Sequence, residues 1–260
     1  MKIKTHNKPR LRHARWYITI ATALGLSPWA CGQAFYEQRF NDPGQVEFKD
    51  GAGQGPDGSG VSGKPEDKAY SVDTSSSPKA LAVIPPLQAP KGGDELTVTA
   101  WYKPRGDVST LYSAYGSVLI WDQSKSQWIW RVEAKLSDPQ SKMYWFYSGK
   151  PPLSNWVPSG QWTFVALVWD RAAGKATFYQ GNKTSEVVLA REMTRNEKVE
   201  PLDFSRYPRN VIGNDRTSTD RAFDGEIDNV RFFSGALHLE AIEKIRKADV
   251  NNEPVNLPAI

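Results

Sequence analysis

The 260-residue chain is poor in the residues that build thiol and imidazole chemistry, with one cysteine and three histidines. Cys31, His6 and His13 all lie in the first 34 residues, so His238 is the only one of these four in the rest of the chain. A chain that loses the first segment has no disulfide, no thiol nucleophile, and no zinc site built from cysteines or several histidines. Any catalysis would rest on carboxylates, Ser, Thr, Tyr or Lys. A bound metal would be a hard cation with oxygen ligands.

The first 34 residues have the pattern of a secretory signal peptide. Six basic residues precede or flank the apolar run WYITIATALGL at 16–26, and small residues follow it, ending Gly32-Gln33-Ala34. A basic segment, a short apolar segment and a G-x-A site are typical of such signals, and the run is too short to span a bilayer. We expect cleavage after Ala34 and a secreted, periplasmic or cell-surface protein with no membrane insertion afterwards. A lipoprotein signal at Cys31 is the less favoured alternative, because Pro-Trp-Ala before it lacks the usual leucine.

Removal of this segment changes the charge of the protein. The whole chain has 33 basic and 29 acidic residues, a formal net charge of +4. Residues 1–34 contain six of the basic residues and none of the acidic ones, so 27 basic and 29 acidic residues remain, a net charge of −2. A nearly neutral chain lacks the strongly basic surface that would attract nucleic acids or anionic membranes. We therefore expect no nucleic-acid partner.

The rest of the chain has the size of one β-rich domain over residues 35–249, followed by a tail at 250–260. Residues 50–68 are rich in Gly, Pro and Asp and are expected to be irregular. Short stretches rich in β-branched and aromatic residues predict strands. They lie within 35–48 and at 96–104, 116–123, 128–136, 142–149, 161–170, 175–181, 186–192, 209–214 and 226–233.

One segment predicts a helix, at 238–249, where Leu239, Ile242 and Ile245 recur at helical spacing among charged residues. Strands and helices do not alternate along the chain, which argues against a parallel α/β sheet. The pattern indicates an all-β protein with one short helix near its carboxyl end.

Four segments, in this order, resemble the concanavalin A-like, laminin-G-like jelly-roll domains of secreted bacterial proteins. They are GVSGKPEDKAYSVD at 60–73, LTVTAWYKP at 96–104, GQWTFVALVWDRAAGKATFYQGNK at 160–183, and VIGNDRTSTDRAFDGEIDNVRFFSGALHLEAI at 211–242. The family pattern is a strand ending Ala-Trp, a Gly-x-Trp strand ending in an acid, a hairpin, and Phe-x-Gly-x-Ile-Asp-x-Val before a short helix. The resemblance implies an antiparallel β-sandwich of two sheets packed face to face.

The middle of the chain carries more aromatic residues than a plain sandwich needs. They fall on both faces of their strands and are Trp121, Trp128, Trp130, Tyr144, Trp145, Phe146 and Tyr147. Most of them are expected in the core, but flat exposed rings are natural platforms for sugars. We predict a ligand-binding surface at Trp145 and Tyr147, which share a face of their strand, with Arg131 of the preceding strand as a donor to hydroxyls or carboxylates.

Asp228 is the unusual residue of the last strand. Phe223, Gly225 and Ile227 share one parity of this strand, whereas Val230 and Phe232 share the other. In a regular strand Asp228 would point with the second pair into apolar surroundings, where a carboxylate is costly unless something pairs with it; a bulge at this point is the alternative.

Two interpretations of Asp228 stay open. Relatives in the resembling family often bind calcium, and the N-terminal strand would bring Asn41 or Asp42 beside Asp228 to form a structural Ca²⁺ site of oxygen ligands. In the other interpretation Asp228 pairs with an arginine such as Arg39 or accepts hydrogen bonds from backbone N–H groups.

The hydrolases of this fold use Glu-x-Asp-x-(x)-Glu, and Glu226-Ile227-Asp228 resembles its beginning. The second glutamate is replaced by Val230 or Arg231, so neither retaining nor inverting chemistry has its second carboxyl group. We therefore expect a non-catalytic, secreted domain that binds a carbohydrate or another surface polymer. An adhesion or structural module that binds protein is the alternative, and a carboxylate-based glycoside hydrolase is the third possibility.

Overall fold

The computed structural model of the chain describes most of the sequence after residue 33. The described residues are 34–42, 44, 46–87, 94–105, 108–114, 117–122, 127–133, 143–148, 160–196, 199, 201–202, 210–214 and 222–257. The expected signal peptide therefore lies outside them except for Ala34, which is the first residue of the first strand. No helix among the described residues is long and apolar enough to cross a membrane.

The described residues form fifteen strands and one helix. The strands are β1 (Ala34–Gln38), β2 (Glu47–Lys49), β3 (Gly53–Gln54), β4 (Tyr70–Val72), β5 (Leu81–Ile84), β6 (Glu95–Pro104), β7 (Val108–Ala114), β8 (Ser117–Asp122), β9 (Gln127–Glu133), β10 (Met143–Tyr147), β11 (Thr163–Asp170), β12 (Lys175–Asn182), β13 (Val188–Thr194), β14 (Asn210–Ile212) and β15 (Gly225–Ser234). The helix is α1 (Leu239–Asn251).

The strands pair antiparallel in two sheets. Sheet 1 has the order β13-β12-β11-β6-β15-β4-β3, and β1 also pairs with β15. Sheet 2 has the order β10-β9-β8-β7-β14-β5-β2. The expected antiparallel β-sandwich with one late helix is confirmed. Sequence reasoning missed β4, β5 and β7 as strands, and also β3, which lies in the segment expected to be irregular.

The main core lies between the two sheets. Ile227, Val230 and Phe232 of β15 contribute to it from sheet 1, and Trp130 and Phe146 contribute from sheet 2. Trp130 and Phe146 pack around Trp169, with ring centroids 4.8 and 5.5 Å from it. Such aromatic contacts add to the free energy of burial and fix how the two sheets sit on each other.

A second apolar cluster covers the outer face of sheet 1. Helix α1 packs Ala241, Ile242 and Ile245 against Trp101 and Phe164. The helix ends at Asn251 and is capped by Asn252, which has a left-handed backbone conformation with φ of 54°. The central strands of sheet 1 are therefore buried on both faces.

Candidate functional site

The predicted ligand-binding residues share one face at the edge of sheet 2. Phe146 is fully buried in the main core, so its neighbours Trp145 and Tyr147 point to the opposite, outer face. Arg131 stands directly opposite Trp145 in the β9–β10 pair, and residues opposite each other in a sheet share a face. The structure thus brings Trp145, Tyr147 and Arg131 together, and all three side chains are partly exposed. We call this set the β10 surface.

Two contacts hold the β10 surface in place. The Arg131 guanidinium lies over the Trp145 ring, 5.7 Å from its centroid, close enough for a cation–π attraction. The Arg195 guanidinium donates from Nε and Nη2 to the carbonyl oxygen of Trp145, at 3.2 and 2.8 Å. Both the ring and the backbone of Trp145 are therefore held before a ligand binds, which reduces the entropy cost of binding.

The aromatic residues around this surface divide by parity. Trp130 and Phe146 belong to the core, where most of the aromatic residues of this region were expected to lie. Tyr144 is partly exposed and packs against that core. The side chains of Trp121 and Trp128 lie outside the described ones.

Asp228 is fully buried, and a β-bulge explains its position. Asp228 pairs with Trp101 of β6, whereas Arg231 pairs with Thr99 and the register shifts between them. Asn229 absorbs the extra residue with φ of 50°. The bulge considered from the sequence is confirmed, and Asp228 lies on the helix side of sheet 1 opposite to Val230, rather than on the core side with it.

The contacts of Asp228 are hydrogen bonds from N–H groups. Its Oδ2 accepts from the Val61 amide at 3.0 Å, and its Oδ1 accepts from the Asn229 amide at 2.7 Å. Burial raises the pKa of Asp228 well above its ordinary value, and the negative charge of Asp67 raises it further. Arg39, considered as its partner, instead donates to the side chains of Asn229 and Asn252.

The other two residues of the predicted calcium set occupy different positions. Strand β1 pairs with β15, as expected, but Asn41 and Asp42 lie beyond the end of β1. The Asn41 side-chain oxygen accepts from the Lys68 amide at 2.7 Å, and the exposed Asp42 accepts from the Gly44 amide at 2.9 Å. Both line a surface cavity of about 280 Å³. The described contacts of all three predicted ligands are therefore to protein N–H groups.

Asp67 is a residue that sequence reasoning missed. It is fully buried in the loop before β4, and its Oδ2 accepts from the Ser62 amide at 2.8 Å. Its Oδ1 is buried without a hydrogen-bond partner. Among the described residues, no group of three or more His, Cys, Asp or Glu side chains is arranged to hold a metal.

Glu226 faces a lysine rather than a second carboxyl group. Its Oε2 accepts from Lys103 Nζ at 2.7 Å across the β15–β6 pair, and its side chain is 18 % exposed. Asp228, two residues further, is fully buried. Since glycoside hydrolysis needs two carboxyl groups flanking an accessible sugar, this pair lacks the geometry of that site.

Comparison with known proteins identifies the family. The profile of the laminin-G-like family described as the concanavalin A-like lectin/glucanases superfamily matches residues 79–243. The chain belongs to this family. The match contains β6, β10, β11 and β15, and therefore both the β10 surface and the bulge at Asp228. A search of curated proteins finds no match.

Solved structures share the fold at low sequence identity. The binding domain of Paraclostridial Mosquitocidal Protein 1 is 13 % identical with a TM-score of 0.53, over 77 % of this chain and 46 % of that one. Domain 4 of AbnA, an extracellular arabinanase of Geobacillus stearothermophilus solved with arabinotriose, is 16 % identical with a TM-score of 0.51, over 83 % and 99 %. The botulinum neurotoxin serotype G binding domain is 12 % identical with a TM-score of 0.50, over 82 % and 50 %. The chain thus spans about half the length of the two toxin domains.

Proposed function

We propose that the protein is a secreted, non-catalytic binding module that recognises a glycan or a related surface polymer through the β10 surface. The observation that carries the proposal is the common outward face of Trp145, Tyr147 and Arg131. Rings on such a face can stack on the apolar side of a sugar, while a guanidinium donates to its hydroxyl or carboxylate groups.

The placement of this surface supports binding rather than packing. Phe146, between the two outward rings, already fills the core position of β10. The outer face of the other sheet is occupied by α1. Among the described residues no helix covers the outer face of sheet 2. Domain 4 of AbnA, which shares this fold, was solved in complex with arabinotriose, so glycans are the ligand class to test first.

The absence of catalysis is part of the proposal. Glu226 is paired with Lys103, and Asp228 is buried beneath α1. We expect no sustained release of reducing sugar from β-glucans or arabinans. A release that disappears in Glu226→Gln would contradict this and favour a hydrolase.

Calcium remains a structural proposal. Asp228 and Asp67 would supply carboxylate oxygens, and a bound Ca²⁺ would offset the cost of burying their negative charges. Asn41 and Asp42 could bind the same Ca²⁺ only if their hydrogen bonds from the Lys68 and Gly44 amides were broken.

A binding screen tests the proposed function. The purified protein is mixed with a panel of insoluble and soluble polysaccharides, and the bound fraction is measured against Trp145→Ala and against Trp162→Ala. Trp162 is a partly exposed tryptophan that packs on the helix-side cluster, which makes it a matched control. We expect retention on at least one polysaccharide that Trp145→Ala loses and Trp162→Ala keeps. Retention on none, together with capture of a protein partner through the same surface, would favour the adhesion module instead.

A further inference from the structure

A cavity with two arginines lies beside the β10 surface. The turn between β11 and β12, residues 171–174, forms one side, and Arg195, Asn196 and Val199 form the other. Its volume is about 450 Å³, within the roughly 300–1,000 Å³ typical of small-molecule sites. Arg195 connects the two places, because it lines the cavity and also donates to the carbonyl of Trp145. We call this space the arginine cavity.

The walls of the arginine cavity are fixed by the backbone. Gly174 has φ of 59°, and a Cβ there would stand 2.1 Å from the carbonyl oxygen of Arg195, so only glycine allows this approach. The Arg195 amide donates to the Gly174 carbonyl at 2.9 Å. The Ala173 amide donates to Asp170 at 3.0 Å. The turn and the end of β13 therefore form one rigid corner.

Within the described part of the chain, each of the two guanidinium groups keeps one nitrogen that donates to no acceptor. Arg171 donates from Nε to Asp94 and from Nη1 to the Val199 carbonyl at 3.4 Å, which leaves Nη2. Arg195 uses Nε and Nη2 on Trp145 and lies 5.6 Å from the Phe146 ring centroid, which leaves Nη1. Both are partly exposed. A guanidinium held in this way can bind an oxyanion without first losing rotamer freedom.

The positive charge of Arg195 is not neutralised by the described part of the protein. No carboxylate among the described residues forms an ion pair with it. The described acids nearby have other partners, since Asp94 pairs with Arg171, Glu192 pairs with Lys175 at 3.3 Å, and Asp170 accepts from a turn amide. An anion in the cavity would therefore meet a guanidinium that no described carboxylate neutralises, and charge-assisted hydrogen bonds are the strong ones.

We propose that the arginine cavity binds an oxyanion carried by a sugar, either the carboxylate of a uronic acid or a sulfate ester. The inference rests on the proposed function for the sugar, whereas the anion site itself follows from the two arginines. It narrows the ligand class from glycans in general to acidic glycans.

The test follows the Nε–H signals of the arginines by ¹H–¹⁵N NMR in the purified protein. The probes are D-glucuronate, D-glucose 6-sulfate and neutral D-glucose. We expect saturable shifts of the Arg171 and Arg195 signals with at least one anionic sugar and none with glucose. The stronger of the two anionic sugars identifies carboxylate or sulfate as the natural group. Arg195→Gln should weaken the binding by about tenfold, and the exposed Arg191→Gln of β13 should leave it unchanged.

A second pair of variants covers the risk that Arg195→Gln fails to fold. Asn196 is exposed on the cavity wall, so Asn196→Asp adds a negative charge and removes no arginine contact. It should weaken the anionic sugar severalfold, whereas Asn196→Ala should not. Shifts with neither anionic sugar, or equal shifts with glucose, would overturn the inference, as would shifts with inorganic sulfate alone. If Arg195→Gln keeps polysaccharide retention and Trp145→Ala loses it, the proposed glycan-binding function is supported and the anion site in the arginine cavity is rejected.

Discussion

Asp228 combines full burial, two backbone N–H donors and a carboxylate neighbour. Burial, with Asp67 as the second cause, raises its pKa well above the ordinary value. The folded protein therefore holds the proton more tightly than the unfolded chain does. The stability that this provides is fully present below the unfolded pKa, about 4, and is lost as the pH rises toward the folded pKa.

Replacing Asp228 by asparagine should reveal this pH dependence. An amide offers one acceptor oxygen to two N–H donors, so Asp228→Asn should destabilise the protein by about 1–3 kcal/mol at pH 4. Because the variant does not titrate there, the difference from wild type should shrink between pH 4 and pH 7. Urea unfolding in EDTA at several pH values measures it. Asp42→Asn is the control, since Asp42 is exposed, and a difference that stays constant for Asp228→Asn would refute the raised pKa.

The proposed calcium has its own signature. A structural calcium bound at about a hundred times its dissociation constant adds ~2.7 kcal/mol, a shift of several degrees in melting temperature for a domain of this size. We predict that EDTA lowers the melting temperature of wild type and leaves Asp228→Asn and Asp67→Asn almost unchanged. If saturating calcium and EDTA give the same wild-type melting curve, the hydrogen bonds from N–H groups are the whole role of Asp228.

Among the elements, α1 depends on a buried polar network that fixes it to sheet 1. Arg231 of β15 is 1 % exposed and donates to Asp249 of α1 at 2.7 Å. Asp249 also accepts from the indole nitrogen of Trp101 at 2.9 Å. The network links strand, helix and core tryptophan, so the helix is docked in one register.

Asp249→Ala should therefore be strongly destabilising. It leaves Arg231 buried with Glu37, which is 40 % exposed, as its remaining carboxylate. Breaking a buried pair from one side costs about 3–5 kcal/mol. Lys244→Ala, which removes an exposed pair with Glu240 on the same helix, should change the unfolding free energy little. Denaturant titration of both variants compares them, and equal small losses would show that the network does not hold α1.

The same elements show what could be predicted from sequence. The strands with aromatic and β-branched runs, such as β6, β11 and β15, were predicted to within a few residues. Strand β7 was missed because serines and an alanine dilute the β-branched and aromatic signal of VSTLYSA. It pairs with the adjacent β8 and with β14, which is distant in sequence. The shared face of Trp145 and Tyr147 follows from alternation alone. The place of Arg131 required the β9–β10 register, and Asp67 and the arginine cavity required the tertiary fold.

At the scale of the whole molecule, the proposed export defines where the folded chain begins. Strand β1 starts at Ala34, and Phe35 packs against Phe232 with ring centroids 6.1 Å apart. We predict that the intact mass of the exported protein corresponds to a chain that starts near Phe35. A retained Met1, or a lipid on Cys31, would contradict the signal peptide and the net charge of −2 that follows from it.

The affinity of single variants shows whether the β10 surface is the ligand-binding site. The dissociation constant of the best polysaccharide from the screen is measured by isothermal titration for wild type, Trp145→Ala, Tyr147→Ala and Trp162→Ala, each first shown to be folded by its melting curve. Loss of one stacked ring costs about 0.5–1.5 kcal/mol beyond its area. We therefore predict a severalfold or greater weakening for Trp145→Ala and Tyr147→Ala, and an unchanged dissociation constant for Trp162→Ala. Wild-type affinity in folded Trp145→Ala and Tyr147→Ala would show that the β10 surface is not the binding site.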